Sequence, residues 1–414
     1  MTNAADLADL TAIYRDLHAH PELAFAEHRT AGIVAARLRD LGYQTTAGVG
    51  RTGVVGLLAN GDGPTVLLRA DMDALPVLER TGLDYASAER GVDADGKDVP
   101  VMHACGHDAH VTCLLGAAAA FAADAEGWSG RLVLVFQPAE ETGGGAQAMI
   151  DDGLFGRFGV PDVVLGQHVA PMPAGLLGVR PGAAFAAADS LRVMLYGRGG
   201  HGSRPETTVD PVLMAAATVQ RLHGIVSREL AAADAGVITV GALRAGTAPN
   251  VIPDEAELLL TVRSYEPTVR ATMLAAIERI VAAEAAASGA VTAPEITSLG
   301  SFPAVVNDAA ACAKVKDAFA AAGTGLVIDP GPVTGSEDVG LLATASGAPC
   351  AYWLLGSADP AHFAGVASLE EARAVVDKLP SNHSPLFAPT VEPTLRVGVA
   401  ALTTAARAWL APSA

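Results

Sequence analysis

The sequence predicts an α/β protein of two domains, one inserted within the other, and three observations point that way. Its 414 residues exceed one ordinary core, at roughly 150 residues per domain. Short runs rich in Val and Leu alternate with helical periodicity and end in polar residues, the pattern of a sheet covered on both faces. The rhythm breaks near Pro181 and Gly182. From Asp189 to about Pro294 the order becomes strand, long helix, two strands, long helix, strand, which is that of a small α+β sandwich.

Taken in order, Leu7, Leu10, Ile13, Tyr14 and Leu17 share one helical face, and a second helical run covers residues 26–41. Residues 53–59 and 65–70 read as buried strands. The second ends in Asp71 and Asp73, which places both acids at the C-terminal rim of the sheet, where function collects in such folds. A helix over 109–123, a strand over 131–137, a helix after the glycine turn at 143–145 and a strand over 162–168 follow. After the inserted segment, helix and strand alternate again to the C-terminus.

Half of the residues are hydrophobic and 17% are charged, a globular composition. The formal net charge of -18 opposes nucleic acid or an anionic membrane as partner, because both are bound through excess Lys and Arg. No stretch of 18 apolar residues escapes charges or helix breakers, so no membrane span is expected. The first twenty residues lack the charged start, apolar run and cleavage site of a secretory signal, and the expected location is the cytoplasm. The four cysteines, at 105, 113, 312 and 350, show no disulfide spacing, and Cys113 falls on the apolar face of a helix.

Chemistry concentrates first in MHACGHDAH, residues 102–110, where His103, Cys105, His107 and His110 crowd one glycine-containing loop before a helix. A thiolate and an imidazole one residue apart suit Zn²⁺ or a similar divalent ion. A buried thiol beside surface histidines is the plainer alternative for any one of them, but not for the cluster. QPAEETGGG, residues 137–145, places Glu140 and Glu141 just after an apolar strand. Neighbours leaving a strand point apart, so Glu141 suits a metal ligand and Glu140 a general base facing the water. Alone, such a pair is usually a solvated loop. His168 and His383, taken singly, read as ordinary histidines.

Eight ordered motifs together resemble the M20 metallopeptidases, in the amidohydrolase branch of indole-acetyl-amino-acid hydrolases, hippurate hydrolases and N-acyl-amino-acid aminoacylases. They are LHAHPE (17–22), RADMDALP (69–76), MHACGHD (102–108), QPAEE (137–141), GGHGSRP (199–205), NVIP (250–253), GSED (335–338) and NHS (382–384). The resemblance implies a zinc-peptidase-like catalytic domain, residues 1–182 and 297–414, with a mixed, mostly parallel sheet between helices. It also implies an inserted ferredoxin-like lid and dimerisation domain over 183–296. By position it implies two divalent ions (Zn, Mn, Co or Ni) on Cys105, His107, Glu141, His168 and His383, with Glu140 as base and then acid. Asp73 would orient the metal site from behind its ligands. His201 would reach across a homodimer, or a dimer-based assembly, to the oxyanion, and Asn250 and Arg263 would hold a substrate carboxylate. The plainer reading of Arg263 is an ion pair with Glu257 or Glu266, and that of His201 a flexible loop residue.

The expected reaction is hydrolysis of an N-acyl amino acid, a small-molecule substrate, to a carboxylic acid and a free amino acid. The wider superfamily ends this strand in His-x-Asp and bridges its metals with Asp; here the strand ends Asp71-Met72-Asp73 and a cysteine loop replaces the bridge. A metallo-dipeptidase or deacetylase of the same fold is the alternative enzyme, and a ligand-binding paralogue with a dead site the non-enzymatic one.

Overall fold

The computed structural model describes residues 4–410, in two compact units. The ends of the expected catalytic segments, 1–3 and 411–414, lie outside the described residues. In the first unit come α1 (Ala4–Ala19), α2 (His28–Asp40), β1 (Gln44–Val49), β2 (Gly53–Asn60) and β3 (Thr65–Asp71), then a small hairpin of β4 (Arg90–Val92) and β5 (Asp98–Pro100). They are followed by α3 (His107–Ala123), β6 (Gly130–Gln137), α4 (Gly145–Asp151), α5 (Leu154–Phe158), β7 (Val163–Pro173) and β8 (Leu176–Gly178), and β9 (Gly182–Phe185) marks the boundary.

The second unit holds β10 (Ala187–Tyr196), β11 (Gly200–His201), α6 (Pro211–Arg228), β12 (Gly236–Ala245), β13 (Val251–Ile252), β14 (Glu255–Ser264), α7 (Pro267–Ala287) and β15 (Glu295–Phe302). The chain re-enters the first unit at β16 (Val305–Asn307) and adds α8 (Ala309–Ala322), β17 (Leu326–Ile328), α9 (Val339–Ser346), β18 (Cys350–Ala358), α10 (Leu369–Val376) and α11 (Val391–Arg407). The boundary expected at 296 falls inside β15, whose pairing with β10 carries the second unit to 305, and residues 332–337 also belong to it. Helical and strand periodicity carry no mark of that pairing.

In the first unit an eight-stranded sheet runs β1-β2-β6-β3-β7-β18-β8-β17. β3 pairs in parallel with both β6 and β7, and β7 in parallel with β18, while β1-β2, β2-β6 and β18-β8 are antiparallel. Every residue of β3 is buried, Arg69 included, as a central strand covered on both faces requires. α3 packs on β3 and against α1, α2 and α11 around one apolar core that includes Leu68, Phe121, Phe136 and Trp353. Emptying one such site, as in Leu68→Ala, costs about 2–5 kcal/mol. Parallel pairing sets the C-terminal ends of β3 and β6 side by side, with Asp71 opposite Gln137.

The second unit is an antiparallel sheet, β12-β14-β10-β15, against which α6 and α7 pack. β14 buries alternate residues, Ala256, Leu258, Leu260, Val262 and Ser264, so its period of two turns one face to the helices. Arg270 on α7 grips Asp189 on β10 with two bonds of 2.8 and 2.6 Å.

At the end of α1, His18 is fully buried between two acids: Nδ1 lies 2.6 Å from Asp108 on α3 and Nε2 3.1 Å from Glu79. Burial opposes charge on the imidazole, but the two carboxylates outweigh it and raise its pKa to about 10. A group whose pKa rises on folding from 6.5 to about 10 contributes stability fully below the lower value and loses it as pH climbs through the higher one. Thermal unfolding of wild type and His18→Gln should therefore differ most in Tm near about pH 6.5, and the gap should narrow by about pH 10.5. A gap that is constant across that range would mean His18 is not charged in the fold.

Candidate metal centre and catalytic residues

The cysteine loop enters α3 through Gly106, whose φ of +82° is left-handed and whose absent Cβ would sit 2.5 Å from Val169 Cγ2. Only glycine meets both conditions. Cys105 and His107 on either side of it are 6% and 0% exposed. The turn bearing His383 is stitched to this loop: its N–H donates to the Ala104 carbonyl at 2.8 Å. Asn382 Nδ2 donates to the carbonyls of Cys105 and Val169, both at 3.2 Å. Val169 follows His168 on β7, so one amide ties three segments together.

The five residues expected to hold metal come together in this unit. Cys105 Sγ lies 3.5 Å from His168 Nε2, and His383 Nε2 lies 3.3 Å from Glu141 Oε2. Their donor atoms form two overlapping groups, Cys105/His107/His168 and Cys105/Glu141/His383, each with all donors within 4.8 Å of one another. Cys105 is common to both. Around His107 Nε2 stand Asp71 Oδ2 at 3.7 Å, Glu141 Oε1 at 3.8 Å and Glu140 Oε2 at 3.9 Å.

The fit to a cation can be tested on the atoms left without partners. His107 Nε2 and Glu141 Oε1 are buried with no hydrogen bond, an arrangement that costs free energy unless something positive sits between them. Burial disfavours charge on His107, yet Asp71 and Asp73 overcome it and push its pKa up to about 10. Burial, with Glu141 and Glu140 beside it, drives the Cys105 thiol well above its ordinary range. In both shifts the neighbouring carboxylates favour the more positive form, as they would favour a cation. The separations His383–Glu141 at 3.3 Å, Cys105–His168 at 3.5 Å and His107–Glu141 at 3.8 Å match the edges of about 3.3–3.8 Å around a tetrahedral ion with ~2.0–2.3 Å bonds.

Glu140 is 4% exposed and faces the same point. Its N–H donates to Asp73 Oδ1 and that of Glu141 to Asp73 Oδ2, each at 3.0 Å, while Asp73 Oδ1 also lies 3.3 Å from His107 Nδ1. One carboxylate thus fixes the acidic pair through two hydrogen bonds and stands at ion-pair distance from the imidazole. Burial raises the pKa of Asp73, against the pull of His107.

A third donor group, Asp71/His107/His110, is already supplied with a cation. Arg69 Nη1 lies 2.6 Å from Asp71 Oδ2, and the same guanidinium reaches Gln137 Oε1 at 3.0 Å and Asp338 Oδ1 at 3.0 Å. His110 Nε2 accepts the Val169 N–H at 2.8 Å, so Nδ1 carries the proton and donates it to Asp71 Oδ1 at 2.5 Å. His110 is therefore a fastener of β7. His103, pushed down to about 4 by burial, is neutral near pH 7 and joins no donor group. His110, counted with the metal-capable groups of the loop, serves as a fastener instead, and Asn382, Asp338 and Arg69 carry no role in the sequence pattern. An arginine inside an apolar strand is the signal that was available for the last, since a buried charge needs a partner.

Three expected site residues lie in the second unit. His201, on β11, is exposed, and its Nδ1 accepts the Ser203 N–H at 3.1 Å and meets Ser203 Oγ at 2.7 Å. Asn250 is exposed beside it, its carbonyl accepting the Gly202 N–H at 2.8 Å. Arg263, on β14, donates to the Thr334 carbonyl at 2.7 Å and Ser336 Oγ at 3.2 Å. It lines a cavity of about 480 Å³ with Tyr265, Val237 and Gly335. The alternative ion pair with Glu257 is not formed: Glu257 lies six residues back along the same strand and pairs with Arg192 and Arg244.

Residues 67–380 match the sequence profile of peptidase family M20/M25/M40. Thermostable carboxypeptidase 1 of Saccharolobus solfataricus is 37% identical over 350 residues, 83% of this chain and 85% of that one. Hippurate hydrolase of Campylobacter jejuni is 43% identical over 260 residues, 62% of this chain and 65% of that one. A solved Bacillus subtilis dinuclear metal-binding peptidase of the M20 family is similar in fold, with a TM-score of 0.77 at 26% identity over 98% of each chain. No described helix is long and apolar enough to cross a membrane. The chain belongs to peptidase family M20/M25/M40 and is a metal-dependent amidohydrolase of that family.

Proposed function

We propose that this protein hydrolyses N-acyl amino acids, releasing a carboxylic acid and a free amino acid. The observation that carries the reading is the buried carboxylate of Glu140 beside a five-residue donor cluster, with its Oε2 3.9 Å from His107 Nε2. Two divalent ions on Cys105, His107, His168, Glu141 and His383 would acidify water and polarise an acyl carbonyl. Glu140 removes the proton of the attacking water, whose oxygen forms the new bond to the acyl carbon. The carbon–nitrogen bond then breaks, and Glu140 returns that proton to the departing amine. Asp73 holds Glu140 in place through its backbone amide.

The second unit supplies the rest of the reading. Arg263 and Asn250 would take the free carboxylate of the substrate, for which a guanidinium fork is suited. His201, exposed and held by Ser203, would stabilise the oxyanion in a neighbouring subunit, which makes the active species a homodimer and the inserted unit its lid. Similarity to a hippurate hydrolase supports a blocked amino acid as substrate. Similarity to a carboxypeptidase favours a second reading in which the acyl group is itself a peptide.

Exchanging Glu140 for Gln should lower kcat by about 10²–10⁴-fold with bound metal unchanged; near-normal turnover would remove Glu140 from the reaction. Amine release from N-acetyl or N-benzoyl amino acids should exceed that from unblocked dipeptides after reconstitution with each of Zn²⁺, Mn²⁺, Co²⁺ and Ni²⁺. The reverse preference would establish the peptidase reading. Mixing inactive His201→Ala and Glu140→Ala subunits should restore part of the activity, and a mixture as inactive as its parents would confine His201 to its own chain.

A further inference from the structure

Glu27 opens α2 with a side chain that is 0% exposed, and three donors from three segments end on it. Its Oε1 accepts the N–H of Phe25 at 2.9 Å and that of Ala139 at 2.8 Å, and its Oε2 accepts the Thr52 hydroxyl at 2.5 Å. Ala139 is the residue before Glu140, fully buried, with a φ of +48° in the left-handed region that residues bearing a Cβ avoid. Something must hold it there.

The surroundings show how. The amides of residues 139, 140 and 141 all point at buried carboxylates, the first at Glu27 and the next two at the oxygens of Asp73. Behind them the turn closes on itself, with the N–H groups of Gly144 and Gly145 directed at the Ala139 carbonyl. A Cβ on Gly145 would lie 1.6 Å from the Pro138 carbonyl oxygen, so the turn has no slack on that side. Successive amides converging on anions form a nest, and here both anions are side chains of the protein itself.

We propose that Glu27 is a positioning residue for Glu140: it anchors the left-handed turn at Ala139 and thereby aims the Glu140 carboxylate at the donor cluster. The inference rests on the reading of Glu140 as the group that moves the proton. Glu27 touches no reacting atom. Its role needs only an oxygen that accepts the Ala139 amide, which glutamine also offers, so charge itself is dispensable. A misplacement of about 1 Å at a reacting group can cost on the order of 10²-fold in rate.

The test uses the full-length, metal-loaded enzyme and compares Glu27→Ala, Glu27→Gln and Thr52→Val with wild type and Glu140→Gln. In Glu27→Ala, kcat should fall by about 10–100-fold with KM and bound metal little changed, and amide hydrogen exchange across 139–141 should accelerate. Glu27→Gln should restore kcat to near wild type together with slow exchange, and Thr52→Val should lose less than Glu27→Ala. A Glu27→Ala enzyme with wild-type kcat overturns the proposal, as does a fully metallated Glu27→Gln enzyme as slow as Glu27→Ala. Should Glu27→Ala fail to fold, the decision passes to the others: slow exchange with wild-type kcat in Glu27→Gln and a modest loss in Thr52→Val support the proposal, and any other pair overturns it. If Glu140→Gln keeps turnover, the assignment of Glu140 fails whatever Glu27 does; if Glu140→Gln is inactive while Glu27→Ala is not, only the role of Glu27 falls.

Discussion

The constraint on which the first unit depends is an excess of buried negative charge at one end of a parallel sheet. Asp71, Asp73, Glu140 and Glu141 crowd the space beyond β3 and β6, and three of their carboxylates lie within 4 Å of a single imidazole nitrogen. An ionised carboxylate in a dry interior is expensive unless it is paired and hydrogen-bonded. Each acid is handled differently. Arg69 and His110 take Asp71, the amides of residues 140 and 141 take Asp73, and Glu27 is held by two amides and a hydroxyl. Glu141 and His107 are left with atoms that nothing in the protein satisfies, which is the opening a cation fits.

Sheet topology turns that local problem into a site. β3 lies between β6 and β7 with all three parallel, so the C-terminal ends of β3 and β6 deliver Asp71 and Glu140 beside His168, which lies midway along β7, without any long excursion of the chain. α3 enters the same rim with His107 at its first residue and ties His110 back to β7. Arg69 braces the floor by reaching Gln137 on β6 and Asp338 before α9. Removing one partner of such a buried network costs about 3–5 kcal/mol, because the others are left charged and unpaired. Rigidity in the floor and strain in the turn at Ala139 therefore come from the same supply of buried charge.

Much of this was legible in the sequence, for reasons specific to each element. β3 and β6 are central strands rich in Val and Leu, and the crowding of Cys105 and His107 on one loop has few uses apart from a metal. His168 and His383 were not legible singly: their meaning comes from partners far along the chain, such as the bond from the His383 amide to Ala104. Glu27 lies 112 residues from the amide it holds, in a stretch that reads as the start of an ordinary helix. The Glu257 alternative for Arg263 fails because both residues lie on β14, six positions and roughly 20 Å apart along the strand, while β12 sets Arg244 directly opposite Glu257 and Val237 opposite Arg263. Local pattern identifies which residues are chemically capable; only the pairing of strands decides which of them meet.

A cysteine on this loop bears on how such a site fills. Buried among acids, the Cys105 thiol is held well above its ordinary range and His107 is pushed up to about 10, so both bind protons tightly in the absence of other positive charge. Under the proposed ligand assignment, each must surrender its proton when a cation arrives, which links metal affinity to pH. The sign is fixed by those directions: affinity strengthens as pH rises, because fewer protons have to be displaced. A bridging carboxylate would add to the surplus of charge at every pH, whereas a thiol adds to it only when a cation is there to receive the thiolate. The same crowding of acids can therefore be tolerated before the ions arrive and still hold them once they do.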